Sequence, residues 1–154
     1  MLRIGKLTDY ATRLMACMAA QPETVNSAVS LAERARLEVP TVSKLLKLLT
    51  QAGLVESFRG VSGGYRLANS PESISIADIV SAIEGPIAMT ECSLARESCH
   101  HEPHCEISGT WQQISKAIET TLKKITLADM AQAQKSTRRK PLPTHIAIIE
   151  ATNP

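Results

Sequence analysis

Aromatic side chains are almost missing from this 154-residue chain, which has one Phe, one Trp and two Tyr (Phe58, Trp111, Tyr10, Tyr65). Its core must be built from Leu, Ile, Val, Ala and Met, which suits packed helices and argues against a β-sandwich. No apolar run approaches the roughly 18 residues of a membrane span. The opening Met1-Leu2-Arg3-Ile4-Gly5-Lys6 also lacks the apolar stretch of an export signal, so a cytoplasmic protein is expected. No phosphate loop, Ser-His-Asp pattern or paired carboxylates appear; no catalytic residue can be nominated, and an enzyme is not expected. Cysteine is scarce, four in all, and no two stand at the Cys-x2-Cys spacing of zinc knuckles and thioredoxin-like motifs.

Charge is present in both signs but unevenly placed. The chain's net +2 divides into nine Lys/Arg against five Asp/Glu over residues 1–67 and four against nine over 68–130. A basic front half and an acidic back half fit a chain of which one part meets phosphates and the other does not, although solvated surface charge gives the same totals.

Periodicity orders the front half. Leu7, Tyr10, Ala11, Leu14, Cys17 and Met18 predict an amphipathic helix over 8–20, with Thr8 as its cap and Cys17 on its buried face as a small hydrophobe. Ser30-x-x-Glu33 reads as a capping box opening a short second helix. Pro40 marks the start of a third helix, with Val42, Leu45, Leu46 and Leu49 facing the core and Thr41, Ser43, Lys44, Lys47 and Gln51 facing outward. Two short helices in succession, the second with a cationic outer face, are the organisation of a helix-turn-helix. Leu54–Phe58 and Tyr65–Ala68 then bracket Arg59-Gly60-Val61-Ser62-Gly63-Gly64, a β-hairpin whose glycines permit a tight tip.

The expected fold is mainly α: a winged helix-turn-helix with a β-hairpin wing and a long C-terminal dimerisation helix. The expected DNA-contacting residues are Pro40, Thr41, Ser43, Lys44, Lys47, Arg59, Ser62 and Gly63. The winged-helix unit covers 1–85, closing on a fourth helix that contains Ile74, Ile76, Ile79, Val80 and Ile83 and stops at Gly85-Pro86. A loop follows over 86–105. Ile107, Trp111, Ile114, Ile118, Thr121 and Ile125 then form a heptad-like seam on one helix over 106–131. Such a seam wants a partner helix, and a homodimer is the commonest source of one. A disordered basic tail is expected over 132–154, where Ser136-Thr137-Arg138-Arg139-Lys140-Pro141 occurs.

The loop is where the chain spends its metal-binding residues. Residues 92–105 hold three of the four cysteines and three of the four histidines: Cys92, Cys99, His100, His101, His104 and Cys105. The spacing Cys-x6-Cys-x5-Cys is open enough for three corners of an iron–sulfur cluster, which is wider than a single ion. Two other chemistries fit the same residues: a structural zinc on three cysteines and a histidine, and a metal-free thiol switch.

Lys6-Leu7-Thr8-Asp9-Tyr10-Ala11, the stretch Gly53 to Tyr65 with its Arg59-Gly60-Val61-Ser62-Gly63-Gly64 tip, and the three-cysteine loop followed by Trp111 together resemble the Rrf2 family of winged-helix regulators. That family contains the repressor of the Isc iron–sulfur assembly operon, the nitric-oxide-responsive repressor and the Suf-operon regulators. The likeness covers residues 1 to about 130. It implies a homodimer on double-stranded operator DNA carrying a 2Fe-2S cluster, with 4Fe-4S as the alternative, on Cys92, Cys99 and Cys105. For the fourth ligand it points to Asp9, from the partner's first helix as in the nitric-oxide-responsive type, with His104 as the alternative. Ser108 stands where the Isc-type regulator has its histidine ligand. Pro40, Ser43 and Lys44 differ from the Isc-type recognition residues, so the operator does not carry over. Among the subgroups, the Suf-type regulators of cluster assembly are the nearest.

Overall fold

The computed structural model describes residues 3–94 and 105–137, with side chains to 133. Helix α1 (Lys6–Ala19) buries Thr8, Ala11, Leu14, Met15 and Met18, the spacing of one helical face. Helix α2 (Ala28–Ala35) is capped by Ser27, whose Oγ accepts from the Ser30 amide at 3.1 Å. The helix therefore starts one turn before the expected Ser30 box, and Ser30 lies inside it. Helix α3 (Val39–Gln51) carries Pro40 in its first turn, where an amide hydrogen is not needed. It buries Val42, Leu45, Leu46 and Leu49 completely, each contributing about 1.5–3 kcal/mol on burial.

Between α2 and α3 the chain reverses at Arg36, with φ 54° and ψ 51°. This is the one non-glycine with positive φ among the described residues, a conformation that costs a residue with a β-carbon roughly 1–2 kcal/mol. Strands β1 (Val55–Phe58) and β2 (Gly64–Leu67) pair antiparallel with Val55 opposite Leu67 and Phe58 opposite Gly64. Glu56 and Arg66, directly opposite, form an ion pair at 3.0 Å, and the Arg66 guanidinium lies 5.0 Å from the Phe58 ring centre. Asn26 exchanges two backbone hydrogen bonds with Tyr65, pinning the hairpin to the loop after α1. Gly64 makes that contact possible, since a β-carbon there would stand 2.5 Å from the Asn26 carbonyl oxygen. The wing is thus held along its second strand almost to the turn, and only the tip beyond Gly64 projects.

Helix α4 (Ile76–Glu84) opens with a reciprocal cap between Ser75 and Asp78. A short helix α5 (Glu91–Leu94) leads into the cysteine loop. The single long helix expected over 106–131 is instead two, α6 (Ser108–Lys123) and α7 (Leu127–Thr137). The break has a local cause and a tertiary one. Asp129 Oδ2 accepts from the Thr126 amide and hydroxyl while the Asp129 amide donates to Thr126 Oγ1, so a new helix is capped there. The Ile76 amide donates to the Ile125 carbonyl and the Leu127 amide to the Ile74 carbonyl, drawing the junction onto the start of α4. Leu127 enters the core, and α7 packs back on α1. Helix α7 also runs past 132, where a disordered tail was expected; residues 138–154 lie outside the described residues. The result is a mainly helical winged-helix fold with a two-stranded antiparallel wing.

Candidate nucleic-acid surface and cysteine loop

Because α3 buries one face, its other face is fixed outward. Pro40, Ser43, Lys44 and Lys47 are exposed, and Thr41 is half-buried beside them. Helix α3 packs on β1, so the cationic face and the wing belong to one rigid unit. At the wing Arg59 and Ser62 are exposed, and Val61 at the tip is fully so. Gly60 has φ 105°, and the Gly63 amide donates to its carbonyl at 3.0 Å. A β-carbon at Gly63 would collide with the Phe58 carbonyl oxygen at 2.5 Å, so the turn requires glycine there. Lys44, Lys47 and Arg59 make no ion pair among the described residues. Three free cations on a projecting helix and hairpin can neutralise phosphates or reach base edges.

The cysteine loop leaves α4 at Glu84, passes through α5 and rejoins the fold at α6. Cys92 is 8% exposed, and its sulfur lies 3.1 Å from the Thr90 hydroxyl. Gln112 of α6 donates to the Cys92 carbonyl at 3.1 Å, and the Met89 amide donates to Oγ of the buried Ser115 at 3.0 Å. The first arm of the loop is therefore fastened along α6. The second arm ends at the half-buried Cys105, whose carbonyl accepts from the Ser108 hydroxyl at 3.1 Å. Ser108 is thereby engaged in starting α6. Cys99, His100, His101 and His104 lie outside the described residues.

Asp9 sits exposed in the first turn of α1. No three His, Cys, Asp or Glu side chains gather into one group among the described residues, so Asp9, Cys92 and Cys105 do not form one within a single chain. Cys17 stands apart, half-buried against the core, as its helical spacing predicts.

The donor set still suits a thiolate-held cluster. One sulfur is buried next to a hydroxyl that can donate to it, and the other precedes a helix whose N-terminus has no side-chain cap.

Thr90, Gln112, Ser115 and Glu84 shape this region and were not anticipated. Thr90, two residues before a cysteine, is a local signal; the other three act across 20 or more positions and leave none.

The Rrf2 family, described as iron-dependent transcriptional regulators, matches residues 4–133. The chain is 29% identical over 131 residues to the helix-turn-helix transcriptional regulator NsrR of Shouchella clausii, covering 84% of this chain and 88% of that one. Among solved structures it is similar to CymR, the global cysteine regulator of B. subtilis, with TM-score 0.65, 30% identity, and 86% and 98% of the two chains covered. It is equally similar to IscR of T. potens, with TM-score 0.65, 30% identity, and 92% and 93% covered.

Proposed function

This chain belongs to the Rrf2 family of DNA-binding transcription regulators, and from that premise we propose that it controls iron–sulfur assembly genes, as Suf-type members do, through a cluster on Cys92, Cys99 and Cys105. The observation that carries the reading is the loop. Three cysteines stand within residues 92–105, and the first is buried, fastened to α6 and approached by a hydroxyl.

When bound, the cluster, 2Fe-2S or alternatively 4Fe-4S, supplies a centre labile to oxygen, nitric oxide or iron shortage. The chain's own residues do the rest. Asp9 is the proposed fourth ligand, reaching the loop of a second copy from the exposed side of α1, with His104 as the alternative. Trp111 and Ile114 on α6, with Ile107 just before it and Ile125 just after it, leave exposed apolar groups, which a second copy covers in a homodimer. Lys47 neutralises phosphate. Lys44 and Arg59 read base edges or a narrow minor groove, and Pro40, Thr41, Ser43, Ser62 and Gly63 line the same contact. Because the loop is bonded along α6 and its first arm begins at α4, its state sets the disposition of two winged-helix heads. It does so only by the cluster's differential affinity for those dispositions. This work is done in the cytoplasm, on double-stranded operator DNA.

The test is iron, sulfide and the visible spectrum of protein purified without oxygen, together with four single Cys→Ala variants. Brown protein is expected, with iron lost from the Cys92, Cys99 and Cys105 variants and kept in Cys17→Ala. Colourless protein holding stoichiometric zinc would overturn the reading.

A further inference from the structure

Arg36 is placed where a chain that merely turned would use glycine. It is the C-cap of α2, its amide donates to the carbonyls of Ala32 and Glu33, and its backbone is left-handed. Leu37, the next residue, packs against the core, while the Arg36 side chain is exposed. Residues held in costly backbone conformations gather where function requires a particular side chain. Nothing within the fold uses this one. Glu33 and Glu38 flank it, yet Arg36 forms no ion pair or side-chain hydrogen bond among the described residues. Its neighbour Arg13 does have a structural task, donating from Nη2 to the Ala35 carbonyl at 2.8 Å.

The position has a geometric meaning. In a helix-turn-helix the first helix crosses the DNA backbone and the N-terminal residues of the second reach the base edges, so the turn between them lies at the groove's edge. Arg36 is in that turn, three residues before Val39 begins α3, the helix that carries the exposed Pro40, Ser43 and Lys44. We propose that Arg36 is a DNA-backbone contact, a guanidinium retained at a strained turn to grip a phosphate beside the recognition helix. A guanidinium fits a phosphate with two parallel hydrogen bonds and keeps its charge at any working pH. The proposal rests on the family's DNA binding and not on the cluster.

The conflict between backbone and side chain supplies the test. Arg36→Gly relieves the backbone and deletes the cation; Arg36→Lys keeps both strain and charge. Full-length protein is titrated by fluorescence anisotropy against a labelled 30-base-pair duplex of random sequence at several salt concentrations, and thermal midpoints are recorded without DNA. For Arg36→Gly the midpoint should rise by roughly 2–6 °C. Its log affinity against log salt should be shallower by about 0.9, or about 1.8 if two copies bind. Arg36→Lys should keep the wild-type slope and midpoint. A more stable Arg36→Gly with the wild-type slope overturns the proposal while leaving DNA binding intact. Wild-type protein without salt-dependent affinity overturns both.

Discussion

Glu84, on the last turn of α4, accepts at Oε1 from the Gly5 amide at 2.8 Å and from the Thr8 hydroxyl. No side chain on α1 itself caps its N-terminus, so one carboxylate ends α4, starts α1 and stands at the entrance to the cysteine loop. Thr8 is 1% exposed and its hydroxyl has no other side-chain partner among the described residues, and a buried hydroxyl left unpaired is costly. Glu84→Ala should lower stability by about 1–2 kcal/mol in urea titrations. In a double-mutant cycle with Thr8→Val the two losses should be clearly less than additive. Strict additivity would mean the bond contributes nothing. The sequence placed Thr8 correctly at the start of α1 but as a cap of its own helix, because a partner 76 positions away leaves no local pattern. Leu14, Leu45, Leu46 and Leu49, by contrast, were legible as core: each stands at helical spacing from other apolar residues of its own helix.

Among the elements, those defined by local chemistry were the readable ones. Pro40 with its four following apolar positions gave α3, and the Gly-rich segment between two short β-like runs gave the wing, with Phe58 its last residue before the turn. The break between α6 and α7 was missed although its signal is local. Thr126-x-x-Asp129 is a helix-opening box, overshadowed by a seam that continues to Ile125. The cap makes the break sensitive to acid. Hydrogen bonds from the Thr126 amide and hydroxyl hold the Asp129 carboxyl below its ordinary value. A carboxyl whose value is lowered by folding contributes stability above its unfolded value, near pH 4, and that contribution is lost as pH falls through the folded value. Carbon-detected NMR titration should therefore find Asp129 titrating below an ordinary aspartate, and Thr126→Ala should return it to the ordinary range. An unshifted Asp129 in the parent would show that the cap is open in solution. Residues 95–104, which carry Cys99 and His104, lie outside the described residues.

At the scale of the whole molecule the most informative feature is an incompletely buried helix. The inward side of α6 holds Ser115 and the half-buried Leu122, bonded and packed toward the loop and the core, while Ile114, roughly a quarter turn round the helix, is 39% exposed and Trp111, one turn before Ser115, keeps 36% of its surface exposed. Large apolar groups at heptad-like spacing along 16 residues call for a matching surface, which in the proposed homodimer is a symmetric copy of the same helix. In that arrangement each half contributes a basic recognition face and a cysteine loop, and coupling between the two passes through α6. Substituting Ile114→Asp puts a charge on the seam while leaving the chain's own core untouched, so the folded monomer should lose no more than about 0.5 kcal/mol. Sedimentation velocity should nevertheless change from dimer to monomer. Because half the phosphate contacts go with the second subunit, the salt dependence of binding to duplex DNA should fall to about half its parent slope, with affinity down at least tenfold. Lys116→Asp, a larger change of charge on the opposite side of α6, should leave the dimer intact. Should Ile114→Asp remain dimeric with unaltered DNA binding, the seam is not the interface, and the route proposed from the loop to the two DNA-binding heads fails with it.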